Sequence, residues 1–149
     1  MNTYTTSANM IPLVMCIDDD SIVLMLNEFI LNDQSFCEKL LKFERANDAL
    51  DYFDQQARLN ENEQNIPKII FLDINMPVLD GWEFLDLFTE KFPQFHQLLR
   101  FVILSSSINP LDLELANNHP LVIHFMAKPI GEMGIVNLKK DEFILALFK

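Results

Sequence analysis

The chain is poor in positive charge: eleven Lys and Arg stand against 22 Asp and Glu over 149 residues, a formal net charge of -11. Nucleic acid and anionic membranes are met by cationic side chains, so this balance argues against either as a direct partner. Long hydrophobic runs are also missing. Half of the residues are hydrophobic, yet no stretch approaches the roughly 20 apolar residues of a membrane-spanning helix. The first ten residues contain no Lys, no Arg and no apolar run, and so fail as a secretory signal. Cysteine is limited to Cys16 and Cys37, without a framework pattern, which fits a reducing, cytoplasmic setting. Repeats and low-complexity tracts are absent. The length suits one domain with a real core, with residues 1–10 as a flexible polar tail and 11–149 as a single folded unit.

What the chain does have is short apolar runs that end in acid. Residues 69–72, Ile-Ile-Phe-Leu, read as a strand buried on both faces, and the run stops on Asp73. Residues 13–17 form a second such strand, ending in Asp18-Asp19-Asp20. An ionised carboxylate where a buried strand opens needs water, a metal or a cation. Adjacent acids raise one another's pKa unless a cation offsets them, so the triplet is a candidate for a divalent metal. The plainer alternatives are turn formation by Asp73 and helix capping by Asp20 or Ser21. We expect Asp18 and Asp19 at a site and Asp20-Ser21 at a cap.

The remaining pattern alternates helix and strand. A helix from about Ser21 carries Ile22, Met25, Leu26, Phe29 and Ile30 as its core stripe, with Asn27, Glu28 and Asn32 turned outward. Residues 39–43 make an edge strand flanked by lysines. A helix capped by Asn47 follows, with Ala46, Ala49, Leu50, Phe53 and Ala57 at helical spacing, then a surface connection over 58–65. After Pro77 and Gly81 a third helix, with Leu85, Phe88 and Phe92 as its stripe, runs to Phe92-Pro93. Residues 100–104 form a strand ending in Ser105-Ser106-Ser107, and a short helix from Asn109-Pro110 stops by His119. A fifth strand over 121–127 ends at Lys128-Pro129, and a helix over 141–148 closes the chain with Phe143, Ile144 and Leu147 inward.

Five strands alternating with about five helices require crossover connections, hence an α/β fold with a parallel sheet and helices on both faces. The strands then share one direction, and their carboxyl ends line the edge where ligands bind. That edge gathers Asp18, Asp19, Asp73, Ser105 and Lys128, which the sequence scatters. Magnesium takes oxygen ligands and is shared between carboxylates and phosphate. A carboxylate so placed can also attack phosphorus, given a metal and a lysine to match the developing charge. Asp73, alone at its strand end, is the best nucleophile, with Lys128 and the Ser105 hydroxyl to hold phosphoryl oxygens.

The runs Ile17-Asp-Asp-Asp-Ser21, Phe71-Leu-Asp-Ile-Asn-Met-Pro-Val-Leu-Asp-Gly81, Ile103-Leu-Ser-Ser106 and Ala127-Lys-Pro129 resemble, in order and spacing, the four signature regions of the receiver domain of two-component response regulators. The resemblance extends from residue 13 to the end. It implies a flavodoxin-like, doubly wound five-stranded sheet of order 2-1-3-4-5. It further implies that Asp73 is the phosphoacceptor and that Asp18, Asp19, Asp73 and the backbone carbonyl of Asn75 hold Mg2+ or Mn2+. Ser105 stands at the switch hydroxyl, with Ser106 beside it, Phe125 at the switch aromatic, Lys128 at the phosphate-binding lysine and Pro129 in the cis-prone place after it. Asn75 and Ser107 are the exposed positions expected to tune phosphate lifetime. The implied donor is a sensor histidine kinase or histidine phosphotransfer protein, and the readout is a changed surface on the fourth helix, fifth strand and fifth helix, offered to a downstream protein. The resemblance implies a signalling domain that catalyses only its own phosphorylation and dephosphorylation. No output domain is expected, and residues 130–140, with Gly131 and Gly134, read as an unusually long link to the last helix.

Two other readings stand beside this one. A phosphatase of the haloacid dehalogenase type would use Asp18 and Asp20 as nucleophile and acid, but leaves Asp73 and Met76-Pro77 unexplained and lacks further strand-end acids after the lysine. A pure binding module would have no use for the charge cluster.

Overall fold

The computed structural model describes residues 10–147; the expected tail lies almost wholly outside them, as does Phe148. The elements are β1 (Ile11–Ile17), α1 (Ser21–Asp33), β2 (Cys37–Phe43), α2 (Ala46–Ala57), β3 (Ile69–Asp73), α3 (Gly81–Lys91), β4 (Arg100–Ser105), α4 (Pro110–Asn118), β5 (Val122–Ala127), α5 (Glu132–Leu138) and α6 (Glu142–Ala146). Short 3-10 turns interrupt the connections at Glu61–Glu63 and Pro93–Phe95. All strand pairs are parallel, in the order β2-β1-β3-β4-β5. This is the flavodoxin-like sheet that the sequence implied.

Side-chain alternation along the strands divides the core in two. Met15, Ile17, Ile70, Leu72, Phe101 and Ile103 face α2, α3 and α4, where Phe53, Phe84, Phe88, Phe92 and Phe95 fill the space between helices and sheet. Phe53–Phe88 at 4.9 Å and 72° and Phe88–Phe101 at 5.3 Å and 74° meet edge-on, an arrangement that the ring quadrupole favours, while Phe84–Phe88 and Phe92–Phe95 stack. Val14, Cys16, Ile69, Phe71, Val102 and Leu104 face the opposite way, toward Leu24 and Leu31 of α1, Ile135 and Leu138 of α5 and Ile144 of α6. Because β3 is buried on both faces, it has no polar side chain before Asp73. Across the α3–α4 gap, the indole N–H of Trp82 donates to Asp112 Oδ1 at 3.0 Å.

Several local expectations change. Four of the five residues of the apolar stripe assigned to α1 are outside: Ile22, Met25, Leu26 and Phe29 are exposed, at 62%, 59%, 44% and 69%, while Ile30 is half-buried against the core and Leu24, Asn27 and Leu31 face the sheet. Asn27, expected outward, is fully buried because a hydrogen bond holds it inward, to the backbone N–H of Ile130. The cap of α2 is Arg45, not Asn47, and it has no side-chain cap bond. The helix starts two residues earlier because Ala46 packs into the core, and Arg45 pairs with Asp48 instead, at 3.2 Å. β2 begins at Cys37, two residues before the expected start, because Cys37 aligns with Ile11 of β1. The segment 130–140 is not a link. It contains α5, and Gly134 sits where that helix closes on β5: a Cβ there would lie 3.2 Å from Met126 Sδ. The caps Asp20 and Asn109 are as expected, each accepting backbone N–H bonds.

The loop after β3 contains Val78 at φ 68°, a left-handed conformation in which a β-branched residue is strained. Its side chain is 94% exposed, so no packing offsets the strain. Val78→Asn, which tolerates this region, is expected to stabilise the chain by about 1 kcal/mol, a rise of about 3 °C in Tm for a domain of this size. An unchanged or lower Tm in thermal unfolding would contradict the strain.

Candidate functional site

Each strand delivers its last residues to one edge. β1 leads directly into Asp18, whose N–H donates to Phe43 O at 3.0 Å, and β3 ends at Asp73, aligned with Leu104 of β4. β4 ends at Ser105, and the carbonyl of Ser105 accepts the Lys128 N–H at 2.9 Å, continuing the ladder one residue beyond β5. The α3 helix begins hard against β3. A Cβ at Gly81 would lie 2.6 Å from both Asp73 O and Ile74 Cα, so only glycine allows the helix to start there. Asp80 caps that helix with a reciprocal Glu83 bond, which fixes the loop between the acid and the helix.

At the centre the Lys128 ammonium lies 3.2 Å from Asp18 Oδ2 and 3.2 Å from Asp73 Oδ2. All three side chains are shielded, with relative exposures of 12%, 1% and 0%. Asp18 Oδ1 accepts the Asp20 N–H and Asp73 Oδ1 accepts the Asn75 N–H, each at 2.9 Å. Asp73 Oδ2 makes no directed hydrogen bond; the ammonium is close but poorly aligned. It is a buried acceptor with spare capacity, next to the exposed carboxylate of Asp19. One oxygen each from Asp18, Asp19 and Asp73 lies within 4.8 Å of the others. Hard oxygen donors so grouped, one without a directed partner, fit a small divalent cation that keeps part of its water.

Electrostatics follow from burial and crowding. Burial pushes the Asp73 carboxyl up to about 6 against the lowering pull of the Asn75 N–H, with Asp18 raising it further and Lys128 lowering it. For Lys128, burial alone works downward, but the two carboxylates outweigh it and the ammonium is held above its ordinary range. The lysine therefore remains charged wherever the acids need it.

Ser105 is buried and its hydroxyl donates to Ser107 O at 2.6 Å, with Asn75 Oδ1 at 3.3 Å. This Asn75–Ser105 contact was not anticipated, since sequence spacing gave no reason to join the two loops. Asn75, Ser106, Ser107 and Pro129 are exposed, and the Lys128–Pro129 peptide is cis. Phe125 is half-buried on β5, against the cluster beneath α3 and α4. Beside Asp19 opens a cavity of about 550 Å³, lined by Arg45, Asn47, Met76, Pro77 and Val78 among others. Asp20, the acid of the phosphatase reading, is spent on the α1 cap, and Asp141 caps α6.

Comparison with known proteins gives the family and the fold. Residues 14–138 match the family described as the response regulator receiver domain. The chain belongs to this family. The receiver is similar to the crystal structure of a two-component response regulator from Cytophaga hutchinsonii, at 31% identity and a TM-score of 0.82, over 92% of this chain and 98% of that one. A response regulator receiver protein from Dyadobacter fermentans shares its fold, at 24% identity and a TM-score of 0.71, covering 88% and 95% of the two chains. A CheY-like receiver domain protein from Methanospirillum hungatei does so at 15% identity and 0.66, covering 89% and 94%. No curated protein matches. Receivers are signalling domains, and among the described residues of this one no helix is long and apolar enough to cross a membrane.

Proposed function

We propose that this receiver accepts a phosphoryl group on Asp73 from a phosphohistidine of a sensor kinase or phosphotransfer protein, with Mg2+ or Mn2+ as cofactor. The observation that carries this reading is the shared ammonium: Lys128 spans Asp18 and Asp73 at 3.2 Å each, while Asp73 Oδ2 keeps a lone pair free. Asp73 Oδ2 attacks phosphorus, the P–N bond breaks, and the donor imidazole leaves with the electron pair. Lys128 moves its contact from the carboxylate to a phosphoryl oxygen, which keeps the buried charge matched. Asp18, Asp19, Asp73 and the Asn75 carbonyl would hold the cation, which would supply positive charge to offset that developing on the phosphoryl group.

The Ser105 hydroxyl, now spent on the Ser107 carbonyl, is the group a phosphoryl oxygen would draw inward. The β4–α4 loop follows it, and Phe125 turns into the space released, changing the α4–β5–α5 surface that a downstream protein reads. Asn75 and Ser107 border this path and tune how long the aspartyl phosphate survives. The exposed apolar row of α1, Ile22, Met25, Leu26 and Phe29, starts at the same edge as the acids and supports docking of a partner helix there. A cytoplasmic location belongs to the same reading.

Incubation with acetyl phosphate and Mg2+ followed by intact-mass measurement tests it. One phosphoryl mass is expected, dependent on the cation and lost with chelator. Absence of any adduct at saturating donor and Mg2+ would favour a binding module.

A further inference from the structure

Asn27 is a misfit in its own helix. It lies mid-way along α1, between Leu24 and Leu31 on the face against the sheet, and is 0% exposed. Asparagine is a poor residue for a helix interior, and burying an amide is costly unless it is hydrogen-bonded. Its Oδ1 accepts the backbone N–H of Ile130 at 3.1 Å, 103 residues along the chain, whereas its Nδ2 has no partner. Leucine would bury apolar surface there without leaving an amide donor unsatisfied. The amide is therefore kept for the one bond it makes.

That bond anchors the turn that carries Lys128. β5 ends at Ala127, and Pro129 has no N–H to offer. The Lys128–Pro129–Ile130 turn is tied at two points: Lys128 N–H to Ser105 O at 2.9 Å, and Ile130 N–H to Asn27 Oδ1. Between these ties the Lys128 side chain reaches Asp18 and Asp73. The helix that supplies the second tie is also the one that starts directly after Asp18 and Asp19. We propose that Asn27 is a positioning residue: it fixes the turn after β5 to α1, and so holds the Lys128 ammonium in register with the two carboxylates. The inference rests on the proposed phosphoacceptor reading for its consequence in rate, but not for the positioning itself.

Two readouts in the full chain separate these. The first is 13C relaxation of the Lys128 ε-methylene in the parent, Asn27→Leu and Asn27→Asp, the last of which keeps the acceptor oxygen. The ε-methylene is expected to be ordered in the parent and in Asn27→Asp. In Asn27→Leu it should become as mobile as that of a surface lysine such as Lys140, with thermal unfolding showing the variant folded. The second is the rate of phosphoryl uptake from acetyl phosphate at saturating Mg2+. It should fall about tenfold or more in Asn27→Leu, as expected for a displaced charge-stabilising group, and be retained in Asn27→Asp. In a Lys128→Met background, Asn27→Leu should change the rate by less than about twofold, because both act through one group. Loss of Lys128 order without any uptake in the parent would sustain the positioning and sink the phosphoacceptor reading. An equally ordered Lys128 in Asn27→Leu, or full additivity of the two substitutions, would overturn the positioning.

Discussion

Asp73→Asn is expected to abolish phosphoryl uptake and, at the same time, to make the chain more stable at neutral pH. The first outcome follows because an amide offers phosphorus no comparable nucleophile. The second follows from burial. The folded carboxyl titrates at about 6, above its ordinary value of 3.8, so the folded chain holds this proton more tightly than the unfolded chain does. Stability linked to Asp73 is thus complete below about pH 3.8 and is lost as the pH rises through 6. The ionised group then costs about 3 kcal/mol at pH 7.5. An amide at this position keeps a carbonyl oxygen for the Asn75 N–H, and Lys128 keeps Asp18 as its partner. A gain of about 2 kcal/mol in urea unfolding at pH 7.5 is expected, shrinking toward pH 4 and shrinking also when Mg2+ stabilises the parent. Equal stability of the two chains at both pH values would mean that burial does not penalise the carboxylate. Uptake that persisted in Asp73→Asn but vanished in Asp18→Asn would move the nucleophile to β1.

Lys128→Met should act in the opposite direction. It retains the apolar stem but removes the charge that Asp18 and Asp73 share, both at 1% exposure or less. Removing one partner from a buried ion cluster leaves an uncompensated charge, at a cost of about 3–5 kcal/mol. The loss should be greatest above pH 6 and smallest in acid, where Asp73 takes up a proton, and millimolar Mg2+ should restore part of it by replacing the counter-charge. Phosphoryl uptake should fall about a hundredfold or more, the usual scale for losing a group that stabilises developing charge. A variant as stable as the parent, and indifferent to pH and Mg2+, would show that the ammonium does not balance the acids.

The strand ends were legible because their signal is local. Short apolar runs closed by Asp18, Asp73, Ser105 and Lys128, in one parallel sheet, can only converge, and the structure brings them together. The face of α1 was not legible for a physical reason. Ile22, Met25, Leu26 and Phe29 are the larger hydrophobic set, and periodicity assigns the larger set to the core. The deciding contact, Asn27 to Ile130, joins residues that no window of sequence sees together. The only hint was an asparagine at helical spacing between Leu24 and Leu31. The helix within 130–140 was hidden differently. Gly134 suggests a link when read alone, yet it is there because Met126 lies close beneath it. The Asn75–Ser105 contact likewise depends on how two loops pack above the sheet, which strand patterning does not encode.

Trp82 is the only tryptophan in the chain, and its indole N–H is tied to Asp112 in the first turn of α4. Its emission depends on that hydrogen bond and on how far α4 shields the ring. Any displacement of α4 against α3 would alter both, so the chain contains an optical gauge of the α4 movement proposed above, readable in real time without an introduced label.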